Sequence, residues 1–246
     1  VSGERRTPAA PQWFADLLAH RYWVRRALPF PHIYARDVFT PDFYRRLTGE
    51  VERVRRDSPQ LFSPRDAEEQ PGAAAVGLSQ LRDGPLAVFL SREWRDMIAN
   101  VAGVGVADVT AALLTDPPGS PGTAPGNGYG PVWFPGDEPA PDEIRIDDNP
   151  LRSAAPGGRE GMRVLTATFY LGDTAWQPGD GGETMLYESA DAATGRSVPP
   201  LGNSLVLFEC TPRSWYTFAG TGAAECHRVE LSLYRPAGNT QERSLP

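Results

Sequence analysis

The chain contains no lysine, and all 24 of its basic residues are arginine. It can therefore form no Schiff-base lysine and no lysine-anchored phosphate loop. Cysteine is almost as scarce: Cys210 and Cys226 are the only two, which excludes a multi-cysteine zinc site. With no signal-peptide core at the N-terminus, a cytoplasmic location and reduced thiols are expected. No apolar run approaches a membrane span, so no membrane partner is expected. The net charge is −7, with arginines spread among acids, which argues against a nucleic-acid partner. Histidine is the third scarcity. His20, His32 and His227 are the whole set, and residues 33–226 have none.

What is present suits a folded enzyme-sized protein. In 246 residues, 40% are hydrophobic and 10% aromatic, enough for a sizeable core, while 25 glycines and 25 prolines promise many loops. Residues 1–10 read as a loose N-terminus and 11–246 as a single domain. Trp13, Phe14, Leu17 and Leu18 have helical spacing, predicting a helix over 11–27. Residues 32–39 read as a first strand. Thr40-Pro41-Asp42 opens a helix burying Phe43, Leu47, Val51 and Val54. Residues 56–80 read as loop and turn. A second amphipathic helix is predicted over 86–101, stopped by Gly103.

Residues 117–141 differ in kind, since 14 of the 25 are Gly or Pro, interleaved with Tyr129, Trp133 and Phe134. Aromatics among glycines predict a long loop packed on something. From 143 to 235 the pattern becomes β, with strands over 164–171, 183–188, 204–210 and 228–234. Helices mainly within 11–105 followed by such strands define an α+β class with a sandwich or barrel core.

Four segments in this order resemble the iron(II)/2-oxoglutarate-dependent oxygenase superfamily, near its prolyl-hydroxylase-like branch. They are PFPHIY with FTPDFYRRL, the helix FLSREWRDMIANVAGV, the block RVLTATFYLGDTAWQPGDGGETMLY, and LGNSLVLFECTPRSWYTFAG followed by HRVELSLY. The resemblance implies a double-stranded β-helix (jelly-roll) core with supporting N-terminal helices. It also implies iron held by a His-x-Asp step and a second histidine. Here the first histidine position falls on Arg145 or Ile146 and the carboxylate on Asp147 or Asp148. Trp215-Tyr216 stands where a Trp-His step is usual. Arg228 matches the arginine that grips the far carboxylate of 2-oxoglutarate, but its partner two residues on is Glu230 rather than Ser or Thr. An internal Arg228–Glu230 ion pair filling the old pocket is therefore as good an expectation as cosubstrate binding. No metal is expected, and iron(II) with 2-oxoglutarate enters only if an unusual ligand set such as Asp147, Asp148 and Glu230 operates.

The expected catalytic set is Asp147, Asp148, Tyr216 and Arg145, with Arg228, Glu230, Trp215, Tyr170 and Trp133 lining a small-molecule site. Carboxylate as base and tyrosine or arginine as donor to an oxyanion would suit a non-redox cyclase, isomerase or lyase step on a natural-product intermediate. The competing expectations are a non-catalytic ligand-binding module and an oxygenase with altered ligands.

Overall fold

The computed structural model describes residues 11–19, 22–65, 72–134, 159–172 and 176–236. Along the chain run α1 (Gln12–Ala15), β1 (Tyr22–Arg26), β2 (His32–Arg36), α2 (Pro41–Asp57), β3 (Ser63–Pro64), β4 (Ala74–Gly77), α3 (Arg92–Ala102) and β5 (Asp108–Asp116). They are followed by β6 (Pro131–Phe134), β7 (Arg159–Tyr170), β8 (Thr184–Tyr187), β9 (Arg196–Val198), β10 (Ser204–Glu209), β11 (Trp215–Phe218) and β12 (Cys226–Pro236). Strand order in the larger sheet is β1-β2-β10-β7-β12-β5-β4-β3, with β6 beside the start of β7; β11-β8-β9 forms a smaller sheet. Pairing is antiparallel throughout both.

Strand alternation divides the larger sheet into two working faces. One face (Ile33, Ala35, Leu165, Ala167, Phe169, Leu205, Leu207, Val229, Leu231 and Leu233) packs on Phe43, Leu47, Val51 and Val54 of α2 and on Trp94 and Ile98 of α3. At its centre Phe39 stacks on Trp94 at 5.2 Å and meets Phe43, Phe89 and Phe169 edge-on. The opposite face brings Tyr34, Tyr170, Val206 and Phe208 against Leu186, Val198 and Phe218 of the smaller sheet. The space between the sheets is the interior of the jelly roll.

The helix from Pro41 and the glycine stop are as read: α2 spans Pro41–Asp57, and Gly103 caps α3 in the left-handed region at φ 76°. Other expectations need correction. The helix over 11–27 is only α1, and Tyr22–Arg26 is an edge strand paired with β2. The second helix is split: Pro85–Leu90 is a 3-10 turn, and Ser91 then accepts the Trp94 N–H to start α3. Part of 56–80 forms β3 and β4, while β5 and β9 were not anticipated. Within 117–141, residues 131–134 are a strand on β7, and residues 123–126 lie along β11. Thr123 N–H donates to Phe218 O, Gly126 and Tyr216 exchange backbone bonds at 3.0 and 2.8 Å, and Tyr129 is exposed. Among the described residues no helix is long and apolar enough to cross a membrane.

Asn203 fastens the helical layer to the barrel. At φ 59° it accepts the Phe39 N–H (2.9 Å) and donates to the Phe39 carbonyl (2.8 Å), while its own N–H reaches Tyr170 O. Asn is among the residues that tolerate this conformation, and all of these partners are buried. Asn203→Ala is expected to lower the unfolding free energy by ~2–4 kcal/mol, from two lost bonds to buried backbone plus left-handed strain. Urea denaturation reads this directly; a loss below ~0.5 kcal/mol, the scatter of neutral surface changes, contradicts it.

Candidate active site

The interior face of the larger sheet is polar along β12. Arg228 and Glu230 lie on it, opposite Tyr170 and Thr168 of β7, while Val229, Leu231 and Leu233 turn to the helices. Arg228 is only 1% exposed. Its Nη1 donates to Asp116 Oδ2, its Nε donates to Glu230 Oε1 at 3.1 Å, and its guanidinium lies 3.8 Å from the Phe218 ring centroid. The expected Arg228–Glu230 pair is therefore present, and Asp116, at the end of β5, is a second carboxylate partner that the sequence reading missed. Arg65 approaches the other oxygen of Glu230 at 3.5 Å. Burial alone would raise the Glu230 carboxyl, but Arg228 and Arg65 outweigh it and hold it below the usual range. Among the described residues, Arg228 Nη2 and Asp116 Oδ1 have no hydrogen-bond partner.

Further along the interior, Tyr216 on β11 stacks edge-on against Phe208 at 4.9 Å. Burial pushes its phenol up to about 12, with the charge of Arg163 pulling the other way, so the hydroxyl is a neutral donor at ordinary pH. Cys210 shares this corner through a 3.1 Å contact with Thr166 Oγ1, and burial raises its thiol. Arg163 was also missed. Strict alternation would put it with Leu165 on the helix side. A register shift opposite Leu233/Tyr234 leaves Val164 as an extra residue, and Arg163 turns inward over the Tyr234 ring at 5.9 Å. Bulges commonly re-aim side chains in this way, and sequence periodicity gives no sign of one.

The other expected site residues divide clearly. Tyr170 is fully buried and shares a 2.6 Å hydrogen bond with Thr184. Trp215 is a correction. Tyr216 and Phe218 face the interior, so alternation sends Trp215 to the outer face of the smaller sheet, away from Arg228 and Tyr216. The backbone of Trp133 lies on β6 opposite Glu160. Arg145, Asp147 and Asp148 fall outside the described residues, as does His20. His32 is a buried packing residue whose Nδ1 meets Phe30 O at 2.9 Å.

The 2OG-Fe(II) oxygenase superfamily model matches residues 145–236. Three solved structures share the fold. A prolyl-4-hydroxylase from Pseudomonas putida is 16% identical, with a TM-score of 0.51 over 83% of this chain and 92% of that one. A prolyl hydroxylase from Trichoplax adhaerens, solved with a peptide of a hypoxia-inducible factor oxygen degradation domain, is 17% identical, with a TM-score of 0.56 over 82% and 83%. The non-heme alpha ketoglutarate dependent epimerase SnoN from nogalamycin biosynthesis is 13% identical, with a TM-score of 0.53 over 84% and 78%. No curated protein matches in sequence. The resemblance to prolyl-hydroxylase-like members of this superfamily thus holds in the C-terminal pattern and in the double-stranded β-helix fold.

Iron(II) and 2-oxoglutarate, which that family implies, do not fit the described residues. The position assigned to the second histidine holds a neutral phenol with the Arg163 cation beside it, a combination that repels a metal cation. The arginine assigned to the cosubstrate carboxylate is already bound by two carboxylates of the chain itself.

His227 lies outside the barrel interior. Arg55 can only donate, so its 3.2 Å contact makes His227 Nε2 an acceptor and leaves Nδ1–H for Thr115 Oγ1 at 3.2 Å. Burial, reinforced by Arg55, lowers this imidazole to about 4. The unfolded chain then binds a proton below pH 6.5 that the native chain refuses, so stability is full above that value and falls as pH drops towards 4. The loss is expected to reach ~2–3 kcal/mol. Urea unfolding at pH 7 and 4.5 should show it, and His227→Gln should flatten the difference; an equal slope in both proteins contradicts this.

Proposed function

We propose that the protein is a metal-independent enzyme built on an oxygenase-like barrel, performing a non-redox acid–base step, of the cyclisation or isomerisation kind, on a small natural-product intermediate. One observation carries the reading: the interior keeps polar groups in reach of solvent while the cosubstrate arginine is occupied. Glu230 is deeply enclosed yet about 30% of its side chain remains accessible, and Tyr216 and Arg163 are half-buried, whereas Arg228 is sealed. Arg228 is thus clamped by Asp116 and Glu230, while Glu230, Tyr216 and Arg163 stay partly accessible.

In this reading the substrate lies between β11 and β12. The neutral Tyr216 hydroxyl donates to an oxygen on which negative charge develops, and it needs no prior ionisation to do so. Glu230, held anionic by Arg228 and Arg65, is too weak a base to take a carbon-bound proton readily; it sets the local field. The proton passes instead to Asp147 or Asp148, while its bonding electrons move onto the oxygen held by Tyr216. Arg145 is the candidate cation of that same segment, with which the superfamily match begins. Tyr170, locked to Thr184, shapes the wall.

A second reading, a non-catalytic ligand-binding barrel, draws support from the clamp itself, since an arginine neutralised from within needs no substrate to satisfy it.

Incubation of purified protein with iron(II), ascorbate and 2-oxoglutarate, with and without a panel of polyketide and peptide intermediates, separates these from an oxygenase. The expected result is no release of succinate and no stoichiometric iron in the purified protein. Turnover of any panel member should persist after chelation and fall ~100-fold or more in Tyr216→Phe, the usual scale for a lost acid or oxyanion donor. Stoichiometric iron with succinate release overturns the proposal.

A further inference from the structure

The outer edge of β1 is bare. It stands first in the strand order of the larger sheet, and among the described residues it pairs only with β2. Its five residues run opposite Arg36 to His32 in continuous register, and no proline interrupts them. The far edge of the same sheet is closed: β3 is only two residues long and ends in Pro64, which has no N–H to offer. The open edge also carries apolar surface. Among the described residues four large hydrophobic side chains are well exposed; Val24 (46%) lies on β1, and Leu28 lies two residues beyond its end. A regular strand edge with an exposed β-branched residue is a template for another strand.

The sequence of β1, Tyr22-Trp23-Val24-Arg25-Arg26, fits a second copy of itself in one register. Alternate residues of an antiparallel strand point both N–H and C=O to opposite sides. Two copies therefore form a ladder only when facing positions differ by an even number, so that outward-pointing residues meet each other. A register centred on Trp23 uses only three residues of β1. One centred on Arg25 also uses three and sets that arginine against its own copy, a direct clash of like charge. Centred on Val24, the register uses all five residues: Val24 faces Val24, Trp23 faces Arg25, and Tyr22 faces Arg26. No arginine then opposes another, and those of the two copies meet only on diagonals, where solvent screens them. Arg25 is moreover drawn to the helix side, where it donates to the Val101 carbonyl near the end of α3.

We propose that β1 is a dimerisation strand, joining the larger sheets of two copies antiparallel about a two-fold axis at Val24. The contact is isologous, and its self-complementary charge pattern is what selects a second copy as the partner. The larger sheet then runs unbroken from one copy into the other, and the exposed flank of Val24 is covered. Five residues a side make a small contact, so the dimer is a weak one, forming at about tens of micromolar protein. This inference does not rest on the proposed reaction.

Sedimentation velocity of the full chain from ~1 to ~500 µM tests it, with the 26.8 kDa monomer expected to give way to a species of twice that mass. Val24→Arg and Val24→Asp each set like charges face to face at the axis, and each should weaken dimerisation at least ~5-fold. An equimolar mixture of the two should restore it as a heterodimer, because only this register sets position 24 against itself. Val24 lies outside the core, so these changes spare the packing of the fold. If either variant fails to fold, Val24→Cys under mild oxidation decides: a disulfide-linked dimer is expected, since the native Cys210 and Cys226 are buried. A native protein that stays monomeric over the whole range overturns the proposal. So does a dimer that both charged variants leave intact, a mixture that stays monomeric, or a Val24→Cys protein that forms no linked dimer.

Discussion

Arg228 is a guanidinium sealed from water, and the barrel has to neutralise it from within. An unpaired charge at such depth would cost several kcal/mol even after relaxation, so Asp116 and Glu230 are requirements of the fold as much as features of the site. Their placement follows from antiparallel register. Arg228 and Glu230 share the interior face of β12, and Asp116 ends the neighbouring β5. Phe218 of the smaller sheet covers the guanidinium, which ties the two sheets together over this one cation. Yet the clamp is incomplete among the described residues, where Arg228 Nη2 and Asp116 Oδ1 remain without partners. Such a pair is a poor source of stability, since well-packed apolar groups of similar volume often do as well. What it does accomplish is to keep other anions from the position.

The rest of the interior reads as a consequence. With the anion clamp closed at one end, the accessible polar groups lie towards Tyr216 and Arg163. There a protein cation and a neutral phenol stand together where the resemblance would place a metal ligand. Positive charge is retained in the barrel, but it belongs to the chain. The glycine-rich strip comes close to this corner at Gly128, where a φ of 61° disfavours most side chains and a Cβ would lie 3.3 Å from the Tyr216 hydroxyl.

Much of this was legible in the sequence, and for physical reasons. Alternation along VLTATFYL and RVELSLY placed Leu165, Ala167, Phe169, Val229, Leu231 and Leu233 on one face, which they share in the core. The same period put Arg228 and Glu230 together, and the charge of their side chains made an ion pair the natural outcome. Thr40-Pro41 and Gly103 marked helix ends through local backbone preferences that tertiary packing did not override. The failures are equally specific. Residues 22–26 look helical because Trp13 to Leu18 set a helical period before them, yet β1 forms through pairing with β2, a partner outside any local window. Asp116 pairs with Arg228 across more than a hundred residues, beyond the reach of motif spacing. Arg163 was assigned to neither face, since a bulge changes parity without changing composition. Trp215 shared a motif with Tyr216, but adjacent residues on a strand cannot line the same interior.

The arginine to which the resemblance assigns a cosubstrate carboxylate is occupied by the chain's own Asp116 and Glu230. Titration calorimetry of 2-oxoglutarate, comparing the native protein with the Asp116→Asn/Glu230→Thr double variant, tests it most directly. The account predicts no measurable heat for the native protein and saturable binding for the variant, where Arg228 is released. Saturable binding by the native protein, or a folded variant that still refuses 2-oxoglutarate, would contradict it.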